Sequence, residues 1–68
     1  MKYIMLAGYD NQPHTVELSL SFPNDIAAII EAPMFGARYD YWLLTDTQNN
    51  TLAHYMPSWG DTGVVNIL

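Results

Sequence analysis

Cysteine is absent from the chain, and basic side chains nearly so, Lys2 and Arg38 being the only two. Without cysteine there is no disulfide and no thiolate metal site, which fits a reducing compartment. Protein affinity for nucleic acids rests on lysine and arginine neutralising phosphates. Two cations cannot do that, which argues against direct DNA or RNA binding. Anionic membrane surfaces are disfavoured for the same reason. No stretch approaches the roughly 20 apolar residues of a membrane span. The opening MKYIMLAG is interrupted by Tyr9-Asp10-Asn11 before it reaches the apolar core of a secretory signal, and it alternates like a strand. The expected location is the cytoplasm of the host cell.

Motifs for chemistry are equally scarce. His14 and His54 are the only histidines, forty residues apart and without a carboxylate at ligand spacing, so no metal site is expected. Asp46-Thr47-Gln48-Asn49-Asn50 resembles the start of a calcium loop but lacks the glycine and the closing glutamate, and reads as a turn. Asp40 and Asp46 share a strand face, yet six residues at about 3.3 Å each hold them about 20 Å apart. A glycosidase pair needs about 5–9.5 Å. Ser19, Ser21 and Ser58 lack a nucleophile elbow, and glycines 8, 36, 60 and 63 form no phosphate cradle. Asn49-Asn50-Thr51 matches the glycosylation triplet, which has meaning only in a secreted chain. The expectation is a protein without catalytic residues and without a cofactor.

What is present is apolar and acidic. Of 68 residues 50% are hydrophobic and 13% charged, and seven carboxylates against two cations give a net charge of −5. Such a composition folds. A chain this short forms one domain, 1–68, and buries only about 60% of the surface its unfolded form exposes. Its core supplies no more than about 3–5 kcal/mol. Self-association is the natural aid.

The organising stretch is Thr15–Ala32, an alternating strand leading through Pro23-Asn24 into an apolar helix. Lys2–Tyr9 reads as the first strand, with Ile4 and Leu6 on one face and Tyr3, Met5, Ala7 and Tyr9 on the other. Asp10-Asn11-Gln12-Pro13 turns the chain. Thr15–Phe22 then sets Val16, Leu18, Leu20 and Phe22 against Glu17, Ser19 and Ser21. Asn24 caps a helix and Asp25 suits its first turn. Ile26, Ile29 and Ile30 form its apolar face, and Pro33 is expected to end it. Met34–Ala37 follows as an apolar loop that tucks Phe35 into the core or exposes it for contact.

Arg38–Asp46 and Thr51–Met56 read as a second hairpin about Thr47-Gln48-Asn49-Asn50. An even-numbered loop places Trp42 and Leu44 with Ala53 and Tyr55, and Tyr41 and Leu43 with His54 and Met56. A loop, Pro57–Gly63, leads to Val64–Leu68, a last strand or tail. The expected fold is α+β: a small antiparallel sheet of four to five strands, ββαββ, with one short helix packed on one face.

One short helix shelters one side of a sheet. The Ile/Leu/Val side is expected to take it. That leaves Tyr3, Met5, Tyr9, Tyr39, Tyr41, Leu43 and Met56 on the other side, beside Glu17 and Ser19. Tyrosine and methionine are enriched at interfaces, and an uncovered patch of this kind marks an association site. The competing view is that these tyrosines pair across strands and solvate the sheet. Trp59, in a glycine-flanked loop beside Asp61, is a further anchor.

The expected function is therefore that of a non-enzymatic acidic protein-binding module. Its expected protein-binding residues are Tyr3, Tyr9, Glu17, Tyr39, Tyr41, Met56, Trp59 and Asp61. It would act as an inhibitor docking on a basic, nucleic-acid-binding surface of a larger protein, in the manner of phage-type anti-CRISPR or anti-restriction proteins. The alternatives are a self-assembling homodimeric structural or accessory subunit, paired through the tyrosine face or the edge strand Val64–Leu68, and a small enzyme using His54 with an acidic partner.

Overall fold

The computed structural model describes residues 1–57 and the backbone of 65–66. Among the described residues lie five strands and one helix: β1 Lys2–Gly8, β2 Thr15–Ser21, α1 Asp25–Gly36, β3 Tyr41–Asp46, β4 Thr51–Tyr55 and β5 Val65–Asn66. They form one antiparallel sheet in the order β2-β1-β3-β4-β5. The α+β class, the two hairpins, the single helix and a last strand match the expectation from sequence. Because β1 is antiparallel to both neighbours, β2 and β3 run parallel on either side of it. The β2–α1–β3 connection must cross β1, and so the helix lies over β1, β3 and β4.

Cross-strand register differs from expectation at β1 and agrees at β3. Gly8 faces Thr15 across the first hairpin, closing a loop of residues 9–14, an even number. Odd residues of β1 therefore share a face with even residues of β2: Tyr3 with Leu20, Met5 with Leu18, Ala7 with Val16. The same side takes Trp42 and Leu44 of β3 and Tyr55 and Ala53 of β4. This is the side under the helix. The expected partition is corrected: Tyr3 and Met5 are core, 1% and 0% exposed, while Ile4 and Leu6 face the other way. The β3–β4 pairing of Trp42 with Tyr55 and Leu43 with His54 is as the even loop requires. Leu52 is the extra residue of a bulge, Leu44 facing Ala53 and Thr45 facing Thr51. It joins the core at 3% exposure.

The helix is also turned relative to expectation. Asn24 is extended, and its Oδ1 accepts the Ala27 N–H at 2.8 Å, which starts α1 as an N-cap should. Pro33 does not stop it: α1 continues for three more residues to Gly36, so Met34, Phe35 and Gly36 are helical and not loop. The buried residues of α1 are Ala28, Ala32 and Gly36, spaced i, i+4, i+8. Ile26 and Ile30, expected inside, are each 69% exposed.

Volume explains the inversion. The sheet presents its bulk to the helix as Trp42, Tyr3, Met5 and Leu44, the largest fully buried side chains. Close packing then needs small residues opposite. At Gly36 no room for a side chain is left, since an added methyl would lie 2.6 Å from Cγ and Nε1 of Trp42.

Candidate functional site

Among the described residues the largest apolar exposure lies on the outer face of α1. Ile26, Ile30 and Met34 succeed one another every four residues and line up on one side of a helix. They are 69%, 69% and 77% exposed, with Phe35 at 45% beside the last turn. The stripe is held rigidly from below. Ala28, Ala32 and Gly36 seat the opposite face on Trp42 and its neighbours, and the Phe35 ring meets Phe22 edge-on at 5.7 Å. Glu31, exposed, precedes Met34 by three residues, and α1 contains no basic residue.

The reverse side of the sheet carries no helix among the described residues. It gathers Ile4, Leu6, Glu17, Ser19, Tyr41, Leu43 and His54, as the pairings dictate. Its apolar members are less open than the helix stripe: Ile4, Tyr41 and Leu43 are half-buried, and Leu6 is 37% exposed. The Tyr41 ring lies across Gly8, where an added methyl would fall 2.7 Å from its Cζ.

The expected binding residues separate accordingly. Tyr3 lies under the helix, its hydroxyl donating to Asp25 Oδ1 at 2.7 Å, and cannot be a contact residue. Burial, and then the bond and charge of Asp25, push that phenol up to about 12. Tyr9 and Tyr39 pair with each other at one end of the sheet, centroids 5.4 Å apart, and Tyr39 packs against the core. Glu17 and Tyr41 do stand on the reverse side. Met56 is half-buried just after β4, while Trp59 and Asp61 lie outside the described residues. Sequence reasoning missed the Ile26/Ile30/Met34 stripe. The available signal was the Ala28/Ala32/Gly36 spacing, which competes with the isoleucines for the inner face.

The titratable groups are spread apart. Asp40 sits at one end of the sheet, where its Oδ2 accepts the Asp10 N–H at 3.0 Å. Asp46 sits at the other, opposite Tyr3. There it accepts from the Gln48 and Asn50 N–H groups, both at 2.9 Å, and from Asn50 Nδ2 at 3.1 Å. These donors hold its carboxyl below the usual range, the Asn50 bonds contributing most. They also brace the turn in which Asn49 adopts φ 66°. A shallow cleft lined by Met1, Lys2, Asp25, Asp46, Thr47 and Gln48 adjoins that end.

No three metal-ligating side chains converge among the described residues, and no described helix is long and apolar enough to cross a membrane. Compared with protein-family models, with curated proteins and with solved structures, the chain matches none.

Proposed function

We propose that this protein is a non-enzymatic protein-binding module that inserts the outer face of α1 into an apolar groove with a basic rim on a larger protein. The exposed stripe Ile26, Ile30, Met34 carries this reading. Its spacing is that of a helix-in-groove ligand, whose anchors recur at helical intervals. Its apolar area is presented by a helix already fixed on a core, so little ordering entropy opposes docking. Charge selects the partner: a net −5, with Glu31 beside the stripe and no cation in α1, favours a positive surface and steers the approach to it. Surfaces that bind nucleic acid have that character, and the specific form proposed is an inhibitor occupying one, of the anti-CRISPR or anti-restriction kind.

Affinity capture with the tagged chain tests this, with Ile30→Asp and Met34→Asp as folded controls. Basic, nucleic-acid-handling proteins should be retained by the wild type, less so as salt rises. Each control should lose at least about tenfold in affinity, the effect of removing an anchor worth about 1.4 kcal/mol or more. Equal retention by Ile30→Asp, or retention indifferent to salt, would refute it.

A further inference from the structure

The structure holds a second unpartnered feature, the free edge of β2, and we infer that it pairs with the same edge of a second copy of this chain. β2 is the first strand of the sheet order and, among the described residues, is hydrogen-bonded on one side only, by β1. Natural sheets protect such edges with proline, charged side chains (lysine above all), bulges or a covering element, and Glu17 is the one charge on this strand. Thr15–Ser21 contains no proline and no lysine, its register with β1 is unbroken over seven residues, and the helix lies over β1, β3 and β4. Val16, on the helix side but beyond its cover, is 40% exposed.

The backbone geometry selects the pairing. Met1 and Phe22 exchange both backbone bonds, Met1 N to Phe22 O at 2.8 Å and Phe22 N to Met1 O at 3.0 Å. Bonded pairs alternate along an antiparallel ladder. Leu20, Leu18 and Val16 therefore direct their backbone groups at β1, and Thr15, Glu17, Ser19 and Ser21 direct theirs outward. Two outward edges join only where odd residues face odd residues.

Three two-fold registers satisfy this with substantial overlap. Centring on Glu17 sets the two carboxylates face to face, which repels. Centring on Ser19 leaves Thr15 and Val16 unpaired. Centring on Leu18 pairs all seven residues, Thr15 with Ser21 and Glu17 with Ser19 of the other copy. Val16 then meets Leu20, and Leu18 meets Leu18, on the helix side. Every apolar side chain of the strand faces an apolar one, and the lone carboxylate of each copy faces a serine.

The two-fold axis of such a pair stands perpendicular to the sheet. The product is a continuous ten-stranded sheet with both helices on one face, and two copies of the Ile26/Ile30/Met34 stripe point the same way. Pairing at β2 does not involve the stripe, so it stands or falls independently of the docking proposed above.

Sedimentation equilibrium on the purified chain, from micromolar to millimolar on the order of what mass action requires, is the test. A mass rising to twice 7.7 kDa is expected. Ser19→Pro, which removes an outward N–H and none that β1 uses, should remain at 7.7 kDa. Single cysteines read the register in a chain that has none of its own. Leu18→Cys should form an intermolecular disulfide readily under mild oxidant, its Cα atoms about 4.5 Å apart. Val16→Cys should not, its Cα atoms being four residues or about 13 Å apart. A monomer at every concentration, dimerisation of folded Ser19→Pro, or equal crosslinking at 16 and 18 would overturn the inference. The cysteine pair decides the matter even if Ser19→Pro fails to fold.

Discussion

Gly36→Ala sets two effects against each other. Alanine is the better helix former by about 0.8–1.0 kcal/mol in a helix interior, so propensity alone predicts a more stable protein. Packing predicts the opposite. The added methyl would lie 2.6 Å from Cγ and Nε1 of Trp42, where ordinary carbon contacts are about 3.5–4.0 Å. The helix or the indole must therefore yield by roughly 1 Å. Trp42 is 2% exposed and hemmed in by the core, and overpacking of this kind costs about 1–3 kcal/mol. Gly36 is the last helical residue, so little of the propensity gain is recovered. The net expectation is a loss of about 1–2 kcal/mol. With a urea dependence of about 1 kcal/mol per molar for so small a chain, the unfolding midpoint by circular dichroism falls by about 1–2 M. In a Trp42→Leu background, held folded with sucrose, the same substitution should be neutral or stabilising. A higher midpoint for Gly36→Ala alone, or an equal loss in both backgrounds, would refute the packing argument.

Two further predictions concern protons. Tyr3 has its phenol raised from 10.0 to about 12 in the folded state, so its contribution is complete below pH 10 and is lost as pH climbs to about 12. The urea midpoint should decline over that window, and Tyr3→Phe should flatten the decline while lowering the midpoint at neutral pH through loss of the bond to Asp25. Asp46 runs the other way. Its folded carboxyl is lowered, so its contribution is present above its unfolded value of 3.8 and disappears as pH falls below it. Asp46→Ala should lower the midpoint at neutral pH and weaken the acid dependence. An unchanged acid limb would show that the Asn50 and Gln48 bonds do not couple to folding.

Much of the fold was legible because β2 alternates cleanly, Asn24 marks a helix start and Asn49-Asn50 marks the turn between β3 and β4. The faces were harder. β1 is an interior strand, between β2 and β3, and is apolar on both sides, Ile4 and Leu6 against Tyr3, Met5 and Ala7, so its pattern alone cannot choose a side. The even loop of residues 9–14 fixes the choice, by the same parity rule that placed Trp42 opposite Tyr55. In α1 the isoleucine spacing suggested an inward face, but the deciding term is space, and the bulk of Trp42 and Tyr3 is visible only once the strands are registered. Pro33 lies inside the helix and does not end it. It forfeits one helical bond, yet the seat of Gly36 against Trp42 holds the final turn. The exposure expected of the tyrosines changed with the faces: Tyr3 lies in the core, and the stripe on α1 is the more open surface.

Ile26 and Ile30 stand outside the core, free to serve a partner, and urea unfolding of the double variant Ile26→Ser/Ile30→Ser measures that placement most directly. Exposed substitutions change stability by within about 0.5 kcal/mol each, so the variant should fold, with a midpoint within about 1 M of the wild type. Core isoleucines would cost about 2 kcal/mol or more apiece, most or all of the roughly 3–5 kcal/mol that so small a chain has in hand. A variant that fails to fold would contradict the account.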